Sequence, residues 1–184
     1  GKKLADRFHE LKGQEVITVV YNFVDMLSHA RSEMEVLKEL ADDEAAYRSL
    51  THSWFQHSPL KEMMDAMADM GGRMILTTDH GTVRVDHPVE VRGDRETNSN
   101  LRYKVGRNLG YDASEVMELR NPDKVGLPKP NVSSTYIFGK GKDFLVYPNN
   151  AAKYTKTFRD TFQHGGVSME EMIVPFVILD PKGV

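Results

Sequence analysis

The chain has 184 residues, 40% hydrophobic and 28% charged, a balance that excludes an intrinsically disordered protein and is long enough to bury a core. A formal net charge of -3 excludes the global basic field that gathers nucleic acid. With no cysteine, disulfides and thiolate metal sites are excluded, so any metal falls to His and carboxylate donors.

In chain order, residues 2–12 carry Leu4, Phe8 and Leu11 at helical spacing, and Gly13 ends the pattern. Residues 15–23 (EVITVVYNF) are β-branched and almost continuously apolar, which predicts a strand buried on both faces. Residues 24–47 turn helical in composition. Ser58-Pro59 opens a second helix that runs to Met70, and Gly71-Gly72 closes it. Residues 73–78 (RMILTT) predict another short buried strand, halted by Asp79-His80-Gly81. Strand, helix and strand in this order predict a βαβ unit, hence an α/β domain with a parallel core sheet flanked by helices.

Residues 82–148 predict a β-rich insertion. In it, 82–91 alternates like a hairpin ribbon, 102–105 is strand-like and 121–131 is a Pro/Gly-rich loop. Residues 133–138 and 144–147 flank Gly139-Lys140-Gly141 as a hairpin would. Residues 150–162 predict a helix, followed by the loop His164-Gly165-Gly166, a helical turn at 168–172 and a last apolar strand at 173–179. The core is expected on strands such as 16–20 and 173–179. The Met63, Met64, Met67 and Met70 cluster reads as core packing.

Three places combine histidine with a strand end. Asp25 and His29 stand at i and i+4 on the helix after the first strand, on one face. Asp79 and His80 close the second strand at a bend that Gly81 permits. His164 precedes the last strand. Each alone has a plainer reading: an exposed helical pair, an ordinary turn, a loop histidine. Together they lie near the C-terminal ends of predicted parallel strands, where α/β sheets build sites, and a borderline metal such as zinc accepts this donor mixture. His9, His52 and His57 read as surface residues and His87 as a neighbour of the insert. Glu170 and Glu171 stand at a helix start near His164, placed to cap it or to support that histidine. The stretch from Arg84 to Arg107 reads as a solvated insert face or as a phosphate-binding rim. Arg84, Arg95, Arg102 and Arg107 would supply its donors, with Lys104, Asn98 and Asn100 adding to them.

The order D-x-x-x-H, Asp-His-Gly and a late His resembles the alkaline phosphatase superfamily. Within it, TTDHG (77–81) and QHGGVSMEEMIVPFVIL (163–179) resemble the PglZ domain. The whole chain is similar to the C-terminal portion of the PglZ output domain in PorX-type response regulators linked to type IX secretion. The resemblance implies an alkaline-phosphatase-like fold and two metal ions, usually zinc. Asp25, His29 and His164 would converge on one ion, and Asp79 with His80 on the other. It also implies a Thr or Ser nucleophile at the end of an early strand, which this chain does not show; that motif is expected upstream, and these 184 residues alone are expected to be inactive.

The function so implied is a metal-dependent phosphohydrolase, a phosphodiesterase acting on nucleotide or oligonucleotide diesters, with a receiver domain in the same full-length chain. The alternative is a non-catalytic signalling or interaction module that keeps the fold and a metal. No apolar run approaches the ~18–20 residues that cross a bilayer, and the charged first residues, GKKLAD, read as the interior of a longer cytoplasmic chain.

Overall fold

Backbone groups that find no partner are costly when buried, so the ladders and caps define the architecture. The structure is a computed structural model. It describes residues 2–33, 35–40 and 43–182, without the side chains of residues 29–33, 35, 37 and 38. In chain order the helices are α1 (Lys2–Ala5), α2 (Phe23–Glu33), α3 (Glu35–Leu40), α4 (Glu44–Gln56), α5 (Pro59–Asp69), α6 (Ala151–Phe158) and α7 (Met169–Met172). The strands are β1 (Met74–Thr77), β2 (Val83–Val85), β3 (His87–Glu90), β4 (Tyr103–Gly106), β5 (Val116–Leu119), β6 (Thr135–Gly139), β7 (Asp143–Val146), β8 (Thr161–Gln163) and β9 (Phe176–Leu179). The chain divides into two compact units, Gly1–Thr78 with Pro175–Val184, and Asp79–Val174.

In the first unit, local signals set the helices. The Asp43 side chain accepts from Ala46 N at 2.7 Å and starts α4, where the composition had predicted one helix over 24–47. Ser58 caps α5 by accepting from Lys61 N, Pro59 occupies its first turn, and Gly71 at φ 72° follows its end. The Tyr47 hydroxyl donates to the Val24 carbonyl at 2.9 Å and ties α4 to α2, while Phe23 stacks on Trp54 at 3.9 Å. Phe8 and Met63 are buried, and Met67, Met70, Val16 and Ile75 line an apolar cleft of about 700 Å³.

Two strand expectations fail here. Residues 16–22 carry no ladder, and Val16 and Val20 are 82% and 80% exposed, so this segment is not a buried strand. Without it β1 takes β9 as partner, antiparallel, with Ile75 opposite Ile178. Phe176, at 66%, is exposed too, so the core does not lie on the strands where it was expected. An apolar run specifies a buried strand only when neighbours cover both faces.

The second unit holds both core clusters. Val83, Val85, Leu101, Phe144 and Val146 pack against α6, while Val89, Val91, Val116, Ile137 and Leu145 form the other. Its sheets are small: β2 with β8, β3 with β7, and β4-β6-β5. β2 and β3 do not form the expected hairpin with each other, since β2 pairs antiparallel with β8 and β3 parallel with β7. Nor do β6 and β7 pair across Gly139–Gly141; β6 is the centre strand between β4 and β5. Among the described residues, β3–β7 is the only parallel pairing, and it lies within the expected insertion. The helix expected over 150–162 stops at Phe158. Asp160 at φ 65° turns the chain and donates its N–H to the Val85 carbonyl, which leads into β8.

Candidate metal centre

Two histidine loops meet in the second unit. His80 lies in the short loop before β2, and His164 follows β8, the partner strand of β2. The pairing of β2 with β8 therefore carries both loops to one place. Their imidazoles stack with centroids 3.8 Å apart and planes at 8°, and one ring nitrogen of each lies within 4.8 Å of the other. His80 Nδ1 is 3.0 Å from the Gly81 carbonyl oxygen. A carbonyl only accepts, so the tautomer that fits this contact carries its proton on Nδ1 and keeps on Nε2 the lone pair that a metal requires. Asp79 is 87% exposed; its carboxylate accepts from His80 N at 3.1 Å and lies 3.8 Å from His80 Nε2.

The loops are shaped by α7. At its start Ser168 and Glu171 make one half of a capping box, the Glu171 carboxylate accepting from Ser168 N. The Glu171 carboxylate accepts from Gly166 N at 2.8 Å and from Ser168 N at 3.2 Å, and the Glu171 carbonyl accepts from Gly81 N at 2.9 Å. Glycine is needed at both contacts. A Cβ on Gly81 would lie 2.0 Å from the Glu170 carbonyl oxygen, and one on Gly166 would lie 2.5 Å from Glu171 Oε2.

A buried ion pair holds Glu171 itself. Arg102 donates through Nε to Oε1 at 3.0 Å and through Nη2 to Oε2 at 2.9 Å, with both side chains essentially inaccessible. Burial pushes the Glu171 carboxyl up, but Arg102, the Gly166 N–H and Ser168 outweigh it and hold the group below the usual range. Arg102 also donates to the Asp143 carbonyl. Asn100 closes the arrangement: its Oδ1 accepts from Arg102 N at 2.7 Å and from Tyr103 N, and its Nδ2 donates to the His164 carbonyl at 3.4 Å.

The expected residues divide as follows. His80 and His164, which the resemblance assigns to different ions, are in ring contact. Asp25 lies in the first turn of α2, in the other unit, and the side chain of His29 lies outside the described residues. Arg102 is no surface phosphate donor, because its guanidinium is consumed by Glu171 and the Asp143 carbonyl. Lys104 is buried as well: its Nζ donates to the Asn98 carbonyl and sits 4.5 Å from the Tyr147 ring centre, and burial lowers its pKa to about 8. Asn98 likewise bonds inward, to Val105 N and the Tyr103 carbonyl. Arg84 pairs with Asp160, Arg107 with Glu96, and Arg95 is exposed. His87 pairs with Asp143. The partnership of Arg102 with Glu171, 69 positions apart, has no sequence signal beyond the S-x-x-E capping pattern at 168–171.

Two imidazoles with nitrogens this close, in a chain without thiolates, suit a borderline divalent ion. Residues 1–179 match the family profile described as the BREX system PglZ alkaline phosphatase-like domain. No curated protein matches the chain.

Proposed function

The chain belongs to the PglZ family of alkaline phosphatase-like domains, a superfamily of metal-dependent phosphoesterases, and from that premise we propose that, as part of its full-length chain, it acts as a two-metal phosphohydrolase on nucleotide or oligonucleotide diesters. The observation that carries the reading is the stacked His80–His164 pair, built by two glycine loops and backed by a buried carboxylate. His80, His164 and Asp79 are proposed as ligands on this unit's side. Asp25 and His29 are proposed on the order of the family's motifs. Bound zinc would supply Lewis-acid stabilisation of charge developing on phosphate oxygens.

The residues of the chain have separate tasks in this scheme. Nε2 of His80 presents its lone pair in the tautomer that fits the Gly81 carbonyl. Glu171 fixes the loop that carries His164. Arg95, which is exposed, together with Arg84 and Arg107, which would exchange their pairs with Asp160 and Glu96, would engage neighbouring phosphates, a role from which Arg102 drops out. An output-domain role beside a receiver domain, in a cytoplasmic regulator tied to type IX secretion, is proposed on the resemblance to PorX-type chains. No described helix is long and apolar enough to cross a membrane.

The test is zinc-dependent hydrolysis of bis-p-nitrophenyl phosphate beside p-nitrophenyl phosphate by the full-length chain, in wild type and His164→Ala. Diester turnover lost in the variant supports the reading. Zinc bound through His80 and His164 without turnover of either ester would replace it with the non-catalytic signalling module.

A further inference from the structure

We propose that the Arg102–Glu171 ion pair is a positioning clamp that fixes both histidine loops before any metal arrives. The proposal rests on the metal reading above. It concerns residues that do not touch the ion.

Glu171 is the common tie. Its side chain holds the backbone of the loop after His164, through Gly166 N and Ser168 N, and its own carbonyl holds the loop after His80, through Gly81 N. Arg102 sets the carboxylate orientation with two parallel hydrogen bonds, which leaves Oε1 and Oε2 only one rotation in which all four donors are served. The same residue's N–H binds Asn100, whose amide reaches the His164 carbonyl. Arg102 is itself anchored at the centre of the unit, since its carbonyl accepts from Gly139 N and its guanidinium donates to the Asp143 carbonyl. Core strands are thereby linked rigidly to the two imidazoles. A capping glutamate alone needs no buried arginine, and a salt bridge built for stability alone needs no contact with both loops. The arrangement fits ligand orientation by outlying hydrogen bonds, whose loss typically lowers metal affinity about 10–100-fold.

Two double variants grade the loss of the clamp. Arg102→Met with Glu171→Gln removes both charges but keeps an oxygen that accepts from Gly166 N. Arg102→Met with Glu171→Leu removes both charges and the acceptor, and packs an apolar pair of similar volume. Zn²⁺ affinity is measured by competition titration, and Co²⁺ visible spectra report ligand geometry. The Gln variant keeps one acceptor but loses the guanidinium that orients it, and should bind about 10-fold more weakly than wild type. Wild-type affinity and spectrum there would overturn the ion pair as the clamp. The Leu variant, at comparable melting temperature, should bind about 10–100-fold more weakly with an altered spectrum. A folded Leu variant with wild-type affinity and spectrum overturns the clamp.

Amide exchange in the unaltered protein gives an independent reading. Gly81 and Gly166 amides should exchange slowly without metal. Fast exchange that slows only when Zn²⁺ is added would show that the ion orders the loops, and would also overturn the clamp. His164→Ala serves as the separate control: Zn²⁺ binding unchanged in that variant removes the metal reading itself.

Discussion

The two units spend their apolar residues differently. In Asp79–Val174 the strands are short, yet Val85, Phe144, Leu145, Val146 and Ile137 are completely enclosed, and two charged side chains, Arg102 and Lys104, are enclosed with them. In Gly1–Thr78 with Pro175–Val184 the most strand-like run of the sequence stays largely exposed, and β1 and β9 form a two-stranded ribbon. Hydrophobicity of a segment is therefore a poor guide to where the stability of this chain resides. Burial depends on how many neighbours a strand finds, and the second unit supplies them from small sheets and α6. The histidine pair sits in the unit with the better-filled core, where packing can hold ligand geometry.

The sharpest way to break this contrast is to truncate one aromatic in each unit. Phe144→Ala should cost about 3–5 kcal/mol in urea denaturation, whereas Phe176→Ala, at an exposed position, should cost no more than about 0.5 kcal/mol. Equal losses would show that the first unit's apolar surface is as well covered as the second's.

Arg102→Ala should come next, at about 3–5 kcal/mol, because it leaves the Glu171 carboxylate buried without its partner. The same pair predicts an acid limb. The folded pKa of Glu171 lies below its ordinary 4.5, so its contribution is present above that value and is lost as pH falls through the lower folded value. Arg102→Met with Glu171→Gln should lose this part of the acid sensitivity. An unchanged acid limb in the double variant would place the titration elsewhere.

Lys104 predicts the opposite limb. Its folded pKa of about 8, against 10.5 when unfolded, means that the folded state releases its proton first. Stability should therefore rise as pH increases from about 8 to 10.5, by up to about 3 kcal/mol. Lys104→Met should be more stable than wild type at pH 7 and should lack the rise. A variant less stable at pH 7 would mean that the contacts to Tyr147 and the Asn98 carbonyl outweigh desolvation.

The smallest effect on folding is expected at Asp79, whose side chain is largely in solvent. Asp79→Asn should leave the metal-free melting temperature unchanged, yet reduce the stabilisation that added zinc gives to the wild type, since an ion bound only by the folded chain raises its melting temperature. A full zinc shift in the variant would remove Asp79 from the ligand set.

What the sequence determined by itself is local. Ser58-Pro59, Gly71 and the Ser168–Glu171 pattern mark helix ends because each cap acts over three or four residues, whereas the Asp43 cap lies hidden inside residues 24–47, whose composition predicts one helix. β1 lies where residues 73–78 predicted a strand, though largely exposed and not buried as expected, and the histidines at 80 and 164 stand out by their glycine neighbours. Tertiary structure decided the partners. β2 joins β8, β3 joins β7, and residues 16–22 pair with no described strand, because a ladder is a property of two segments and its cost depends on closing the chain between them. The same reason hides the clamp. A row of Arg, Lys and Asn between 84 and 107 looks like one solvated face, and only the folding of β4 against β6, with α7 brought alongside, turns Arg102 and Lys104 inward while Arg95 stays in water.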